Sequence, residues 1–215
     1  SVFGLPFGKQ PPTDEINACT AALQMMEEIK TLNDERANAC RPLIKMGLVI
    51  HSEQMFMGLG GAPPKQEFTL AGEAMETTRS LSKITQTYAD GNVILVTEPT
   101  YRLVQDKFFF RFLDKVRITS TNLLTNIYEL LGPDKESVDP ILVHAAKCYF
   151  DAYGHYSAKR FPVALPLFKK AATMTMDPEE NRAEGDKAAR EMERRCLMFL
   201  SQGMENWNEG CHMVP

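Results

Sequence analysis

A chain of 215 residues, 44% of them apolar, can bury a real core as one large domain or as a medium domain plus a small one. Its formal net charge of −4, with Lys and Arg spread out rather than clustered, argues against nucleic acid as a partner. No apolar run reaches the roughly 18 residues needed to cross a bilayer, so no membrane segment is expected within it.

The cysteines (Cys19, Cys40, Cys148, Cys196, Cys211) lie far apart and none has C-x-x-C spacing, which argues against a structural zinc site. Their odd number points to reduced thiols and a cytoplasmic setting. The sequence opens on Ser1 in an apolar segment without an initiator methionine, so a fragment or a processed product is expected. The parent could be membrane-attached or part of a larger structure.

Gly4, Pro6, Gly8, Pro11 and Pro12 punctuate a short strand and a loop. A long amphipathic helix follows, with Thr13 as its cap and Asp14 and Glu15 at its positive end. Ile16, Cys19, Leu23, Met26 and Ile29 recur at helical spacing until the pattern fades near Asn38. Residues 43–51 and 54–59 read as a pair of strands, broken by Gly60-Gly61 and Pro63-Pro64. Phe68 to Gly72 leads into a helix over 73–89, and Val93-Ile94-Leu95-Val96 is a buried strand. A short helix at 99–105 precedes strands at 108–113, 116–119 and 126–131.

At Gly132-Pro133-Asp134 the character changes, and helix is expected as far as Gln202. Asp139 and Pro140 read as the cap and first residue of the first tail helix. Tyr149, Ala152, Tyr153 and Tyr156, then Phe161, Ala164, Leu167, Phe168 and Ala171, resemble one tetratricopeptide-type helix pair with no second copy. A single such unit cannot bury its own face, so it must lean on the preceding residues or on a partner. The mixed charges from Glu179-Glu180 to Arg195 read as a solvated helix face.

The order of elements resembles the class III nucleotidyl cyclases. Ser1-Val2-Phe3-Gly4-Leu5-Pro6 is similar to that family's x-V-F-G-x-P strand. Residues 46–61 resemble its R-x-G-I-x-I-H-x-G…V-G-x-x-G segment, and Phe68-Thr69-Leu70-Ala71-Gly72 through Leu81 resembles its Y-T-V-x-G-x-x-V-N-x-A-x-R-L helix entry. Val93 to Phe108 is similar to I-x-V-S-x-x-T-Y-x-x-x-x-x-x-F. Tyr156 to Ala171 and Trp207-Asn208-Glu209-Gly210 resemble the helical pair and closing W-x-G of bacterial-style and protist members. The implied fold is α+β, a truncated ferredoxin-like cyclase core followed by an α-helical tail. The implied division is 1–132 for the cyclase homology domain and 133–215 for the tail.

The resemblance also implies a chemistry to look for. In a cyclase the 3′-hydroxyl of a nucleoside triphosphate attacks the α-phosphorus, and two metal ions held by two carboxylates activate it. Both carboxylate positions fall upstream of Ser1, so no metal-ligand set and no cofactor is expected in this chain. Mg or Mn with ATP or GTP is implied only for an active parent. Thr69 stands at the family's base-side position. The family's ribose-orienting Asn and phosphate-facing Arg fall four and eight residues after Gly72, on Glu76 and Ser80, while Arg79 comes one residue early and is turned about 100° around the helix. Thr119 stands where a phosphate-binding Lys would be, with Ser120 for the following Gly. Losing one electrostatic stabiliser typically costs about 10²–10³ in rate, so the catalytic positions Glu76 and Arg79 and the nucleotide positions Thr69 and Thr119 are read as degenerate.

Other features have plainer readings. His51 reads as a strand-end histidine, Gly58-Leu59-Gly60-Gly61 as a turn, and Cys148 and Cys196 as thiols on apolar helix faces. The expected function is a catalytically degenerate cyclase homology domain acting as a pairing or structural component, with a second cyclase-type domain or a larger assembly as partner. Two alternatives stand beside it: the C-terminal part of an active adenylyl or guanylyl cyclase dimer, and a helical-repeat adaptor.

Overall fold

The computed structural model describes Phe3 and residues 13–176, 185–204, 207 and 210–214. Seven helices and seven strands occur among them. The expected strand at 1–6 lies outside the described residues apart from Phe3, as do residues 177–184 and the side chain of Thr13, the expected cap of the first helix.

The Val93-Ile94-Leu95-Val96 run explains the layering. It forms β4 (Val93–Thr97), in which every residue is buried. Side chains alternate across a strand, so Val93 and Leu95 enter one core cluster while Ile94 and Val96 enter another. The second cluster lies under α1 (Thr13–Asn38), through Cys19 and Ala22, and under α4 (Glu98–Val104), through Val104. A strand covered on both faces reads as a continuous apolar stretch, and this one does.

The main sheet runs β1-β4-β6-β5-β7, where β1 is Gly47–Ile50, β5 is Phe109–Ile118, β6 is Leu123–Gly132 and β7 is His212–Val214. β1 pairs parallel with β4, and β7 pairs parallel with β5. β6 is antiparallel to both of its neighbours. The approach to β1 is fixed by Asn33 near the end of α1, whose amide both donates to the Ile44 carbonyl and accepts from the Ile44 N–H at 2.8 Å.

Several expectations are corrected here. The strands expected at 43–51 and 54–59 do not pair with each other. β2 (Phe56–Gly60) instead pairs with β3 (Glu67–Ala71), a strand read from sequence as the approach to a helix. The helix expected over 73–89 breaks at Ile84 into α2 (Ala74–Lys83) and α3 (Thr85–Tyr88). There the Thr85 hydroxyl donates to the Ser82 carbonyl at 3.0 Å. Gly47 lets β1 approach this corner, since a Cβ there would stand 2.5 Å from Thr85 Oγ1.

The strands expected at 108–113 and 116–119 are one strand, β5, with a register shift between Phe112 and Asp114. The bulge keeps the ladder to β6 running on both sides of it. Leu113 is the extra residue; Asp114 resumes the ladder just after it, fully buried, and its Oδ1 accepts from the Lys115 N–H at 2.8 Å.

Three tail helices follow: α5 (Pro140–Ser157), α6 (Phe161–Met174) and α7 (Lys187–Gln202). Asp139 caps α5 and Asp186 caps α7, each through its carboxylate. Tyr149, Tyr156, Phe168, Met192 and Cys196 share one cluster with Leu81, Ile84 and Leu95 on the sheet side, so the tail leans on the sheet. Trp207 packs on Tyr156, Phe161 and Phe199. Gly210 lies beneath it at φ +73°, where an added Cβ would meet the indole at 3.1 Å.

The charge-rich face is also corrected. Arg195 and Asp186 are buried rather than solvated. Arg195 pairs with Asp114 at 2.6 Å, and Arg111 on β5 pairs with Asp186 and with Glu129 on β6.

Candidate functional site

α2 sets the site, because its burial pattern decides which side chains face inward. Ala74, Thr77, Ser80 and Leu81 are buried, a spacing that marks one face of a helix. Glu76 and Arg79 point to solvent and pair with each other at 3.6 Å, both well exposed. An exposed pair of this kind is worth little, and neither residue is presented to the interior.

Ser80 has no exposure, and its Oγ lies 3.5 Å from Ser120 Oγ in the turn after β5. Thr77 Oγ1 is buried beside it on the same helix face, without a hydrogen-bond partner among the described residues. The Thr119 N–H and hydroxyl both donate to the Val214 carbonyl, at 2.8 and 2.7 Å. Thr119 is therefore engaged in fastening β7 to the end of β5.

Thr69 lies on β3, opposite Gly58. Its hydroxyl donates to the Glu67 carbonyl at 3.4 Å, and a Cβ on Gly60 would stand 2.6 Å from Thr69 Oγ1. Met57, Leu59, Phe68 and Leu70 occupy the other face of the hairpin in cross-strand pairs. The structure thus brings Ser80 against the turn that follows Thr119, leaves Glu76 with Arg79 in solvent, and bonds Thr69 within its own hairpin.

The ends of β1 and β4 carry a polar group whose partners the sequence reading did not supply. His51 Nδ1 lies 2.8 Å from Thr97 Oγ1, and Nε2 lies 3.2 Å from Glu53 Oε2. Burial holds the imidazole pKa below its ordinary 6.5, against the opposing pull of Glu53. Thr100 donates to Ser52 Oγ at 2.9 Å, which closes the same corner. A groove of about 350 Å³ opens here, lined by Asp14, Glu15, Ile50, His51, Glu53 and Met75 among others.

Among the described residues, no three His, Cys, Asp or Glu side chains converge as metal ligands. No helix among them is long and apolar enough to cross a membrane. Burial pushes the Cys19 and Cys196 thiols up to about 12.

The α+β core with helices packed beyond it has the fold of a solved cyclase domain. The solved adenylyl cyclase CyaB from P. aeruginosa matches it with a TM-score of 0.52 at 18% identity, covering 62% of this chain and 66% of that one. In sequence, the chain is 29% identical over 120 residues to an adenylate cyclase of Anabaena cylindrica, covering 53% of this chain and 24% of that protein. It is 22% identical over 157 residues to "Adenylate cyclase, terminal-differentiation specific" of Dictyostelium discoideum, covering 72% of this chain and 7% of that protein. The chain therefore spans about a quarter or less of these curated relatives. No family model matches the sequence.

Proposed function

We propose that this chain is a catalytically degenerate cyclase homology domain that works by pairing with a second cyclase-type domain, with residues 133–215 as a helical brace. The observation that carries the reading is the orientation of α2. At the resemblance's phosphate-facing position stands Ser80, buried against Ser120, and Arg79 is spent on Glu76 in solvent. Thr119, in the phosphate-binding lysine's place, bonds the Val214 carbonyl instead. None of these positions offers an inward cation to a triphosphate, and such electrostatic stabilisation is usually the largest single contribution to catalysis of this kind.

Mg or Mn with ATP or GTP enters this reading only through the partner. The buried Thr77 and Ser80 hydroxyls, the latter against Ser120, fit a packed support better than a nucleotide contact. The test mixes the full chain with a class III cyclase domain. Sedimentation reads pairing, and cyclic product from ATP and from GTP with Mn²⁺ reads activity. The expected result is a mixed species whose product rate follows the added domain. The absence of any mixed species would overturn pairing.

A further inference from the structure

Helix α7 holds the elements that continue from α2. Arg195 donates from Nη1 to Asp114 Oδ2 at 2.6 Å and from Nε to Glu191 Oε1 at 2.9 Å. Tyr88, the last residue of α3, donates its hydroxyl to the same Asp114 Oδ2 at 2.8 Å. One buried carboxylate on β5 therefore ties α7 to α3. Just past α3, Asp90 accepts from Lys187 Nζ at 2.6 Å and from Arg190 Nη2 at 2.8 Å, both near the start of α7.

α2 and α3 are joined through the single residue Ile84, so a hold on α3 and Asp90 is a hold on α2. The two holds differ in kind. The Asp114 joint is dry, with Asp114 at 0% and Arg195 at 6% exposure, whereas Asp90 is a surface acceptor. Arg195 Nη2 is buried without a hydrogen-bond partner among the described residues. A buried donor left unmade weakens a contact relative to one fully satisfied. The joint is therefore strong in charge pairing yet incomplete in hydrogen bonding.

We propose that α7 is a clamp that sets the position of the α2–α3 pair, so that the helical tail governs the candidate site from behind. This rests on reading α2 as the site-bearing helix of a pairing domain. A plain structural brace would protect the whole core alike. Asp114 on β5 also accepts from the Tyr153 hydroxyl on α5 at 3.5 Å. What singles out α2–α3 is therefore the tie to Asp90 and, through Asp114, to Tyr88. A clamp thus protects α2–α3 more than the tail.

Hydrogen exchange on the full chain separates the two. In Arg195→Met, which lowers the stability of the whole fold, amides of residues 74–90 are expected to accelerate about tenfold more than those of residues 161–174. Arg195→Lys, which keeps a cation, is expected to restore at least half of that protection. Uniform acceleration, an unchanged 74–90 segment, or no recovery with Lys would each overturn the clamp. If Arg195→Met does not fold, Lys187→Ser with Arg190→Ser decides. A rise of about threefold confined to residues 85–90 supports the clamp, and no rise overturns it. Exchange is read on the chain alone and pairing on the mixture, so either reading can fail without the other.

Discussion

The joint between β5 and α7 and the outer face of α2 both carry opposite charges, and they use them in opposite ways. At the joint, Asp114 and Arg195 are buried and paired, and Tyr88 adds a third partner. On α2, Glu76 and Arg79 face water and pair with each other. Burying an ion pair is costly unless every charge is matched, and breaking one leaves an uncompensated charge in the interior. An exposed pair gains little and loses little. The fold therefore buries charge pairs where the tail attaches, and leaves the Glu76–Arg79 pair on the outer face of α2 in solvent.

The comparison can be broken most sharply at the joint. Arg195→Met should cost about 3–5 kcal/mol in chemical denaturation, because it strands Asp114. Adding Asp114→Asn to that variant should return part of the loss, and a fully additive double mutant would contradict the pairing account. Arg111→Met tests the second joint, where Asp186 and Glu129 share the guanidinium. Burial already pushes Glu129 above its ordinary range, and the loss should be about 3 kcal/mol.

A smaller effect is expected from pH. His212 on β7 lies 6.4 Å from the Tyr88 ring, and burial together with Arg195 lowers its pKa from 6.5. The unfolded chain then binds the proton more readily than the folded one. This contribution to stability is present above 6.5 and is lost as pH falls through that value towards the folded pKa. His212→Gln should shallow the decline in stability between about pH 7 and pH 5 in denaturation series, while His51 keeps its own share in the same direction. The smallest effect belongs to the outer face of α2. Glu76→Ala with Arg79→Ala should change stability by less than about 0.5 kcal/mol.

Particular residues show what could be read from the sequence. The apolar run at Val93 and the helical spacing of Ile16, Cys19 and Leu23 gave β4 and α1, because burial on fixed faces leaves a periodic mark. Asp139 before Pro140 marked the start of α5. The two-strand reading around Asp114 failed because a buried acid beside a bulge interrupts the apolar pattern. Its partner Arg195 lies 81 residues away and was read as solvated, since no spacing rule links positions that distant. β7 was missed because His212–Val214 is too short to carry a pattern and exists only through pairing with β5. At the candidate site, counting from Gly72 named Glu76 and Ser80, but only the packing of Ser80 on Ser120 says which of them faces inward.

The most direct measurement is cyclic nucleotide formation by the full-length protein carrying this chain, assayed alone with ATP and with GTP in the presence of Mn²⁺. The account predicts no product above the uncatalysed background. Cyclic product that falls by about 10²-fold on Ser80→Ala or Thr119→Ala would contradict it, because those hydroxyls would then serve the reaction rather than the packing.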